Sequence, residues 1–340
     1  MVSSCWSLRQ RRVRDAAFNS HVVCQEEVFS YRSLVHAISG MIGGATAITA
    51  FYPLNVVRTR LQVTESKEME SMVGLALRML REEGLSSLFT GWQSQVMALA
   101  ASNFVYFYQY NGLRAMVQKM AVRQGHSREL GAGTNLLIAT VAGVINVLAT
   151  TPLWVVSTRL SVQRSGGGGG GGYRGMWDGL TRIAREEGLA ALWNGTVPSL
   201  LLVSNPSIQF VCYERIKSWL GERARLRGTP ITPIEFFLMG AAAKTVATIL
   251  TYPIQLAQSR LRAMKAKGAP PQAGQAQVTY QYKGTLDVLL KVVQNDGPLG
   301  LFRGMEAKLY QTVATAALMF ATYEQIQALV FAALLRNQKK

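Results

Sequence analysis

The sequence predicts an all-α membrane protein: six transmembrane helices arranged in three repeats, with short amphipathic helices at the surface. Three observations lead there. Only 16% of the 340 residues are charged, against about 25% in soluble domains. The charges are clustered, so that 33–57, 85–113, 130–158 and 188–213 contain no Asp, Glu, Lys or Arg. A proline-centred segment also occurs three times, as YPLNVVRTRLQ, TPLWVVSTRLS and YPIQLAQSRLR.

Each charge-free run can supply the roughly 20 apolar residues that a helix needs to cross a hydrocarbon core. Two further candidate spans, 234–259 and 305–331, are apolar but carry Lys244, Glu306 and Lys308. The repeated prolines Pro53, Pro152 and Pro253 stand 99 and 101 residues apart. A second element follows each one: EEGLSSLFTG, EEGLAALWNG and NDGPLGLFRG, with two glycines always seven residues apart. A third closes each repeat: YNGLR, YERIK and YEQIQ. Three ordered elements in three copies define internal repeats, placed at 31–125, 126–228 and 229–331 between an N-terminal tail 1–30 and a basic C-terminal tail 332–340.

Within a repeat, an apolar helix ending in Pro and Arg is expected first, then a short amphipathic helix, then a second apolar helix. The amphipathic pieces are Met72–Arg81, Met176–Arg185 and Thr285–Gln294, with apolar residues at helical spacing, as suits helices lying along a membrane surface. Gly166–Gly172, seven consecutive glycines, reads as a flexible linker. A phosphate loop would need Lys-Ser/Thr next, and Tyr173-Arg174 follows instead. Residues 265–277 read as a second linker.

Chemistry-bearing clusters are absent from the pattern. Cys5, Cys24 and Cys212 make no disulfide framework, and His21, His36 and His126 have no metal-ligand spacing. No nucleophile elbow or paired-carboxylate constellation occurs, so the chain reads as neither an enzyme nor a metal protein. The net charge of +17 raises nucleic acid as a partner, but the cations sit at helix ends and in connections, such as Arg58/Arg60, Arg223/Arg225/Arg227 and Lys339/Lys340. That placement suits lipid head groups and anionic solutes rather than nucleic acid. Residues 1–30 carry Arg9, Arg11, Arg12 and Arg14 without an apolar core, which argues against a secretory signal. An organelle transit peptide and a disordered or alternatively initiated tail both fit.

The three-part repeat resembles the mitochondrial carrier family, whose signature is Pro-x-[Asp/Glu]-x-x-[Lys/Arg]-x-[Lys/Arg] followed by an acidic-Gly element ending in aromatic-basic-Gly. The resemblance covers about 34–331. It implies six tilted helices about a pseudo-threefold axis, a central solute site reached alternately from each side, no cofactor, and function as a monomer. The segments SNFVYFY (102–108), TTPLWVV (150–156), WNGTVPSLLLVSNPSIQF (193–210) and TAALMF (315–320) are similar to the family's peroxisomal coenzyme-carrying branch. That branch implies CoA, FAD, NAD+ and adenine nucleotides as exchanged solutes in the peroxisomal membrane, and a peroxisomal membrane-protein import receptor as a partner. The alternative is another anion carried across the mitochondrial inner membrane.

The family pattern also nominates gates. On the lumen side an acid two after Pro pairs with a base five after Pro on the next repeat. The matching positions are Asn55, Trp154 and Gln255, and Arg58, Ser157 and Gln258. The implied contacts Asn55–Ser157, Trp154–Gln258 and Gln255–Arg58 contain no ion pair, so this layer should open easily and depend on other contacts for closure. Arg60, Arg159 and Arg260 match the family's second base, and Gln62 its bracing glutamine. Trp154 reads as a bulky plug in an uncharged gate. On the cytosolic side the implied contacts are Asn111–Lys217, Glu214–Gln327 and Glu324–Arg114, braced by Tyr110, Tyr213 and Tyr323. Arg114 and Lys217 serve equally as head-group anchors in the simpler reading.

For the solute, Lys244 is the most informative residue, since charge inside a membrane is costly. It lies nine residues before Pro253, where the other repeats have Gly44 and Gly143. It either binds a phosphate-like anion or snorkels. Lys308, one turn after Gly304, either binds phosphate or pairs with Glu306 or gate residues. Pro206 cannot donate to the carbonyl of Leu202, which leaves an acceptor expected to be open. Asn103, Tyr106, Asn205, Gln209 and Thr312 offer amide and hydroxyl partners, with interhelical hydrogen bonding as the competing role. The Leu201/Leu202 pair follows from family position.

Overall fold

A computed structural model describes residues 49–64, 71–123, 130–163, 172–227, 233–265 and 282–315. Gly44, Tyr323, Glu324 and Gln327 lie outside the described residues. Residues 51–313 form one compact unit, in which the regular elements are helical. Repeat 1 contributes α1 (Tyr52–Val63), α2 (Met72–Glu82) and α3 (Trp92–Arg123). Repeat 2 contributes α4 (Ala132–Val162), α5 (Met176–Glu186), α6 (Thr196–Leu201) and α7 (Asn205–Arg227). Repeat 3 contributes α8 (Pro233–Ala263), α9 (Thr285–Asp296) and α10, 305–315.

Among the described residues, α4 and α8 are long and apolar enough to cross a bilayer, and most of each is not buried inside the protein. Leu137, Val141 and Leu148 on α4, and Phe236, Leu238 and Leu250 on α8, are exposed. Such large exposed apolar faces are what lipid tails cover.

The three prolines are accommodated differently. Pro53 occupies the first turn of α1, where its missing donor is not needed. Pro152 and Pro253 lie inside helices described as continuous. Pro152 leaves the carbonyl of Leu148 without its helical donor, and Trp193 Nε1 donates to that oxygen at 2.9 Å. The tryptophan of the second repeated element thus satisfies the kink of its own repeat.

The amphipathic helices end within two residues of the expected bounds. Their inner faces build the same small core three times. Leu75 and Met79 pack on Val56, Val57 and Leu61, Met176 and Ile183 on Val155, Val156 and Leu160, and Val288 and Val292 on Leu256 and Leu261. Val73 and Leu77, Trp177, and Leu286 and Leu290 remain exposed on the outer side, as an interfacial helix requires. The N-terminal turns are pinned by side chains: Ser71 Oγ accepts from Gly74 N, Asp178 from Arg174 N, and Asp287 from Lys283 N.

The paired glycines are explained by backbone geometry. Gly84, Gly91, Gly188, Gly195, Gly297 and Gly304 all have positive φ; Gly195 is left-handed, while Gly84, Gly188 and Gly297 combine positive φ with extended ψ, a region essentially confined to glycine. Between each pair runs a short 3-10 segment: Leu85–Phe89, Leu189–Trp193 and Pro298–Phe302. The second glycine of each pair also abuts the next repeat. A Cβ on Gly91 would meet Ser161 N at 2.9 Å, one on Gly195 would meet Arg262 Cγ at 3.0 Å, and one on Gly304 would meet Leu61 Cβ at 3.3 Å. The repeats therefore contact one another in cyclic order, and α1, α4 and α8 touch pairwise. In addition, α3 packs on α4 and α7 on α8.

Candidate solute site and gates

The proline-motif layer is closed by a threefold set of arginine struts. Arg60 pairs with Glu83 at 2.7 Å and donates to Gln163 O of repeat 2 at 2.8 Å. Arg159 pairs with Glu187 through two hydrogen bonds and donates to Arg262 O and Met264 O of repeat 3. Arg260 reaches Asp296 at 3.4 Å and donates to Gln62 O of repeat 1 at 2.9 Å. Each arginine therefore ties the acid of its own second element to the backbone of the next repeat. Tyr173 and Tyr282 support Arg159 and Arg260 through their hydroxyls.

A second set of contacts uses the residues before Pro53 and Pro253. Tyr52 donates to Thr90 O and bonds Ser161 Oγ of repeat 2. Tyr252 donates to Arg303 O and receives Gln62 Nε2 of repeat 1 at 2.9 Å. Gln62 also accepts from Ser259 Oγ, so it joins two residues of α8 to α1. In repeat 2 the tyrosine position holds Thr151, and Arg262 takes a different route, donating to Ser199 Oγ at 3.1 Å with its guanidinium 5.6 Å from the Trp154 ring centre.

The three cross-repeat gate contacts expected from the family pattern are replaced by others. Asn55 accepts from Arg58 of its own helix at 2.9 Å, Ser157 donates to Gln95, Gln258 to Ser199, and Gln255 to Thr251. The side chains at 55, 154 and 255 carry no charge that could hold the opposite base, so each base position turns to the nearest acceptor. Trp154 and Gln258 do share the wall of one cavity of about 280 Å³, together with Ser102, Tyr106, Leu202 and Arg262.

At the second gate, expected to face the cytosol, Asn111, Arg114, Glu214 and Lys217 are all exposed. Lys217 lies 4.0 Å from Glu214 on its own helix rather than against Asn111. Tyr110 stacks on Tyr106, with ring centres 6.1 Å apart.

The solute candidates divide. Lys244 is exposed and lies within Coulomb reach of Lys308. Among the described residues neither forms an ion pair, and Lys308 does not pair with Glu306. Tyr106 and Leu202 line the 280 Å³ cavity, and Asn103 and Leu201 are exposed. Gln209 is half-buried on α7. Asn205 instead makes an interhelical bond to Thr251 at 3.1 Å, and Thr312 turns its hydroxyl to Lys308 O. The carbonyl of Leu202, expected to be open, accepts from Asn205 N. Pro206 ends α6 in a 3-10 turn at Leu202–Ser204, and the tighter turn supplies the donor that an α-helix would lack.

Sequence reasoning missed Glu83, Glu187 and Asp296 as strut partners, although the acid before each first glycine recurs three times. It also missed Tyr173 and Tyr282, signalled by Tyr-[Arg/Lys]-Gly before α5 and α9.

Comparison with known proteins agrees with this construction. The family model described as "Mitochondrial carrier protein" matches residues 30–121, 128–224 and 229–333. Peroxisomal membrane protein PMP34 of Mus musculus is 42% identical over 308 residues, covering 89% of this chain and 95% of the relative. A peroxisomal nicotinamide adenine dinucleotide carrier of Arabidopsis thaliana is 32% identical over 322 residues, covering 86% and 95%. A mitochondrial FAD carrier protein of Saccharomyces cerevisiae is 26% identical over 310 residues, covering 85% and 95%. With its repeats, its glycine-hinged elements and its cyclic strut layer, the chain belongs to the mitochondrial carrier family.

Proposed function

We propose that this protein, a membrane transporter rather than an enzyme, exchanges anionic nucleotide-containing cofactors across the peroxisomal membrane: CoA, FAD, NAD+ or adenine nucleotides. The observation that carries the reading is Lys244, a lysine inside a membrane-spanning helix with no ion-pair partner among the described residues, beside Lys308. Charge at that depth is costly unless an anion offsets it, and phosphate-bearing solutes provide one. Elsewhere in the bundle, the Tyr106 and Trp154 rings line a cavity and offer planar surfaces for a nucleobase or flavin. The peroxisomal assignment is supported by the names of two relatives, PMP34 and the Arabidopsis carrier.

Alternating access follows from the two layers. The strut layer holds one side shut while the solute enters, and its release must accompany opening to that side. The test is exchange in liposomes loaded with one coenzyme, alongside thermal unfolding with a coenzyme panel, since a ligand that binds the folded state raises its melting temperature. Lys244→Ala should abolish exchange while the protein still folds. Unchanged uptake by the variant removes Lys244 from the mechanism. Failure of every coenzyme to stabilise the native protein removes the function.

A further inference from the structure

Arg60, Arg159 and Arg260 each face a carboxylate. Arg58 does not. Its Nη2 donates to the neutral Asn55, and its Nε is buried without any hydrogen bond. The position expected to oppose it holds Gln255, whose amide is engaged by Thr251 of its own helix. The start of α10 is pressed against α1, because a Cβ on Gly304 would stand 3.4 Å from Arg58 O. Lys308 follows one turn later, bonded through its backbone to Gly304 O, and lies within Coulomb reach of both Arg58 and Lys244.

Arg58 of α1 and Lys308 of α10 thus share one seam, with Lys244 of α8 within Coulomb reach of Lys308, and among the described residues no carboxylate lies within ion-pair distance of any of them. Like charges gathered at one place repel, and a buried guanidinium nitrogen without an acceptor, such as Arg58 Nε, calls for an anion. One carboxylate would not balance three positive charges. A phosphate or diphosphate carries more charge and several acceptor oxygens, and suits both a guanidinium fork and lysine ammonium groups.

We propose that Arg58 is a solute-binding residue, forming with Lys308 and Lys244 the seat of a phosphate or diphosphate group, so that the solute supplies the anion absent from position 255. The inference rests on the transport reading above and adds a gate-position residue to the site. It also couples binding to the proline-motif layer, because Arg58 lies two residues before the strut Arg60 on α1.

The test uses the full-length protein in detergent, with thermal unfolding read against inorganic pyrophosphate, ADP and adenosine. The native protein should be stabilised by pyrophosphate and ADP and not by adenosine. Arg58→Gln should weaken the apparent affinity for pyrophosphate and ADP at least about tenfold, the scale of one lost charge-assisted hydrogen bond. Gln255→Glu provides the second arm. Its carboxylate should occupy Arg58, weaken the pyrophosphate response similarly, and leave the melting temperature in the absence of ligand equal or higher. That variant decides the matter if Arg58→Gln does not fold. A native-like pyrophosphate response in both variants overturns the inference. Coenzyme stabilisation of the native protein that persists in both leaves the transport function standing without Arg58.

Discussion

At the scale of single residues, the repeated glycines separate two demands that the sequence presents as one. Gly188 has φ of +88 and open space around it, whereas Gly91 has φ of +79 and backbone of the next repeat at 2.9 Å. Gly188→Ala should therefore cost only backbone strain, about 1–3 kcal/mol, since its φ of 88 with ψ of 159 lies in a region essentially confined to glycine. Gly91→Ala adds a clash with Ser161 N, which is backbone and cannot swing away, so its loss should be larger. Thermal unfolding of the two variants checks the order, and equal shifts would mean that the repeat-to-repeat contact gives way freely. Trp193 shows the same dependence on setting. Its indole reads from sequence as the aromatic of a repeated motif, yet its specific bond is to the carbonyl that Pro152 leaves open.

At the scale of elements, the amphipathic helices show how far pattern alone reaches. Apolar spacing located α2, α5 and α9 to within two residues at their C-terminal ends, because helical periodicity is local. The strut arginines were visible as a triplicate motif, but their partners were not assigned, since pairing across 23 to 36 residues depends on how each hinge turns. The gate side chains illustrate the converse. Asn55, Ser157, Gln255 and Gln258 are neutral, so the closest hydrogen-bond partner decides their bonds, and sequence position does not. Asp287 offers a test at this scale. The backbone N–H of Lys283, and then the Lys291 ammonium, hold its carboxyl below the usual carboxylate range. A depressed folded pKa means that this stabilisation is complete above the unfolded carboxylate pKa and is lost as pH falls through the lowered value. Acidification through that window should fray the start of α9, read as a lower hydrogen-exchange protection factor (rate corrected for the intrinsic pH dependence) at Val288 N–H, which bonds Gly284 O. Asp287→Asn should keep the protection factor there nearly constant over the same window.

At the scale of the whole molecule, three buried ion pairs bind each repeat to the next through backbone carbonyls, and their environments differ. Arg159 and Glu187 are each 1% exposed, whereas Asp296 of the third pair is 16% exposed and its contact is longer, at 3.4 Å. Removing one partner of a buried pair strands the other charge and costs about 3–5 kcal/mol, while a wetter pair costs less. Glu187→Gln should therefore lower the melting temperature more than Asp296→Asn, with Glu83→Gln between them or near the first. The consequence extends beyond stability, because Arg159 also carries the hydrogen bonds from repeat 2 to Arg262 O and Met264 O of repeat 3. A guanidinium released from Glu187 no longer holds its fork against those carbonyls, and the layer loosens at that one seam. Glu187→Gln proteoliposomes should leak solute without a counter-solute inside, and Asp296→Asn proteoliposomes should leak less. Tight, strictly coupled exchange in Glu187→Gln, together with equal melting temperatures, would show that the struts shape the fold without holding the gate.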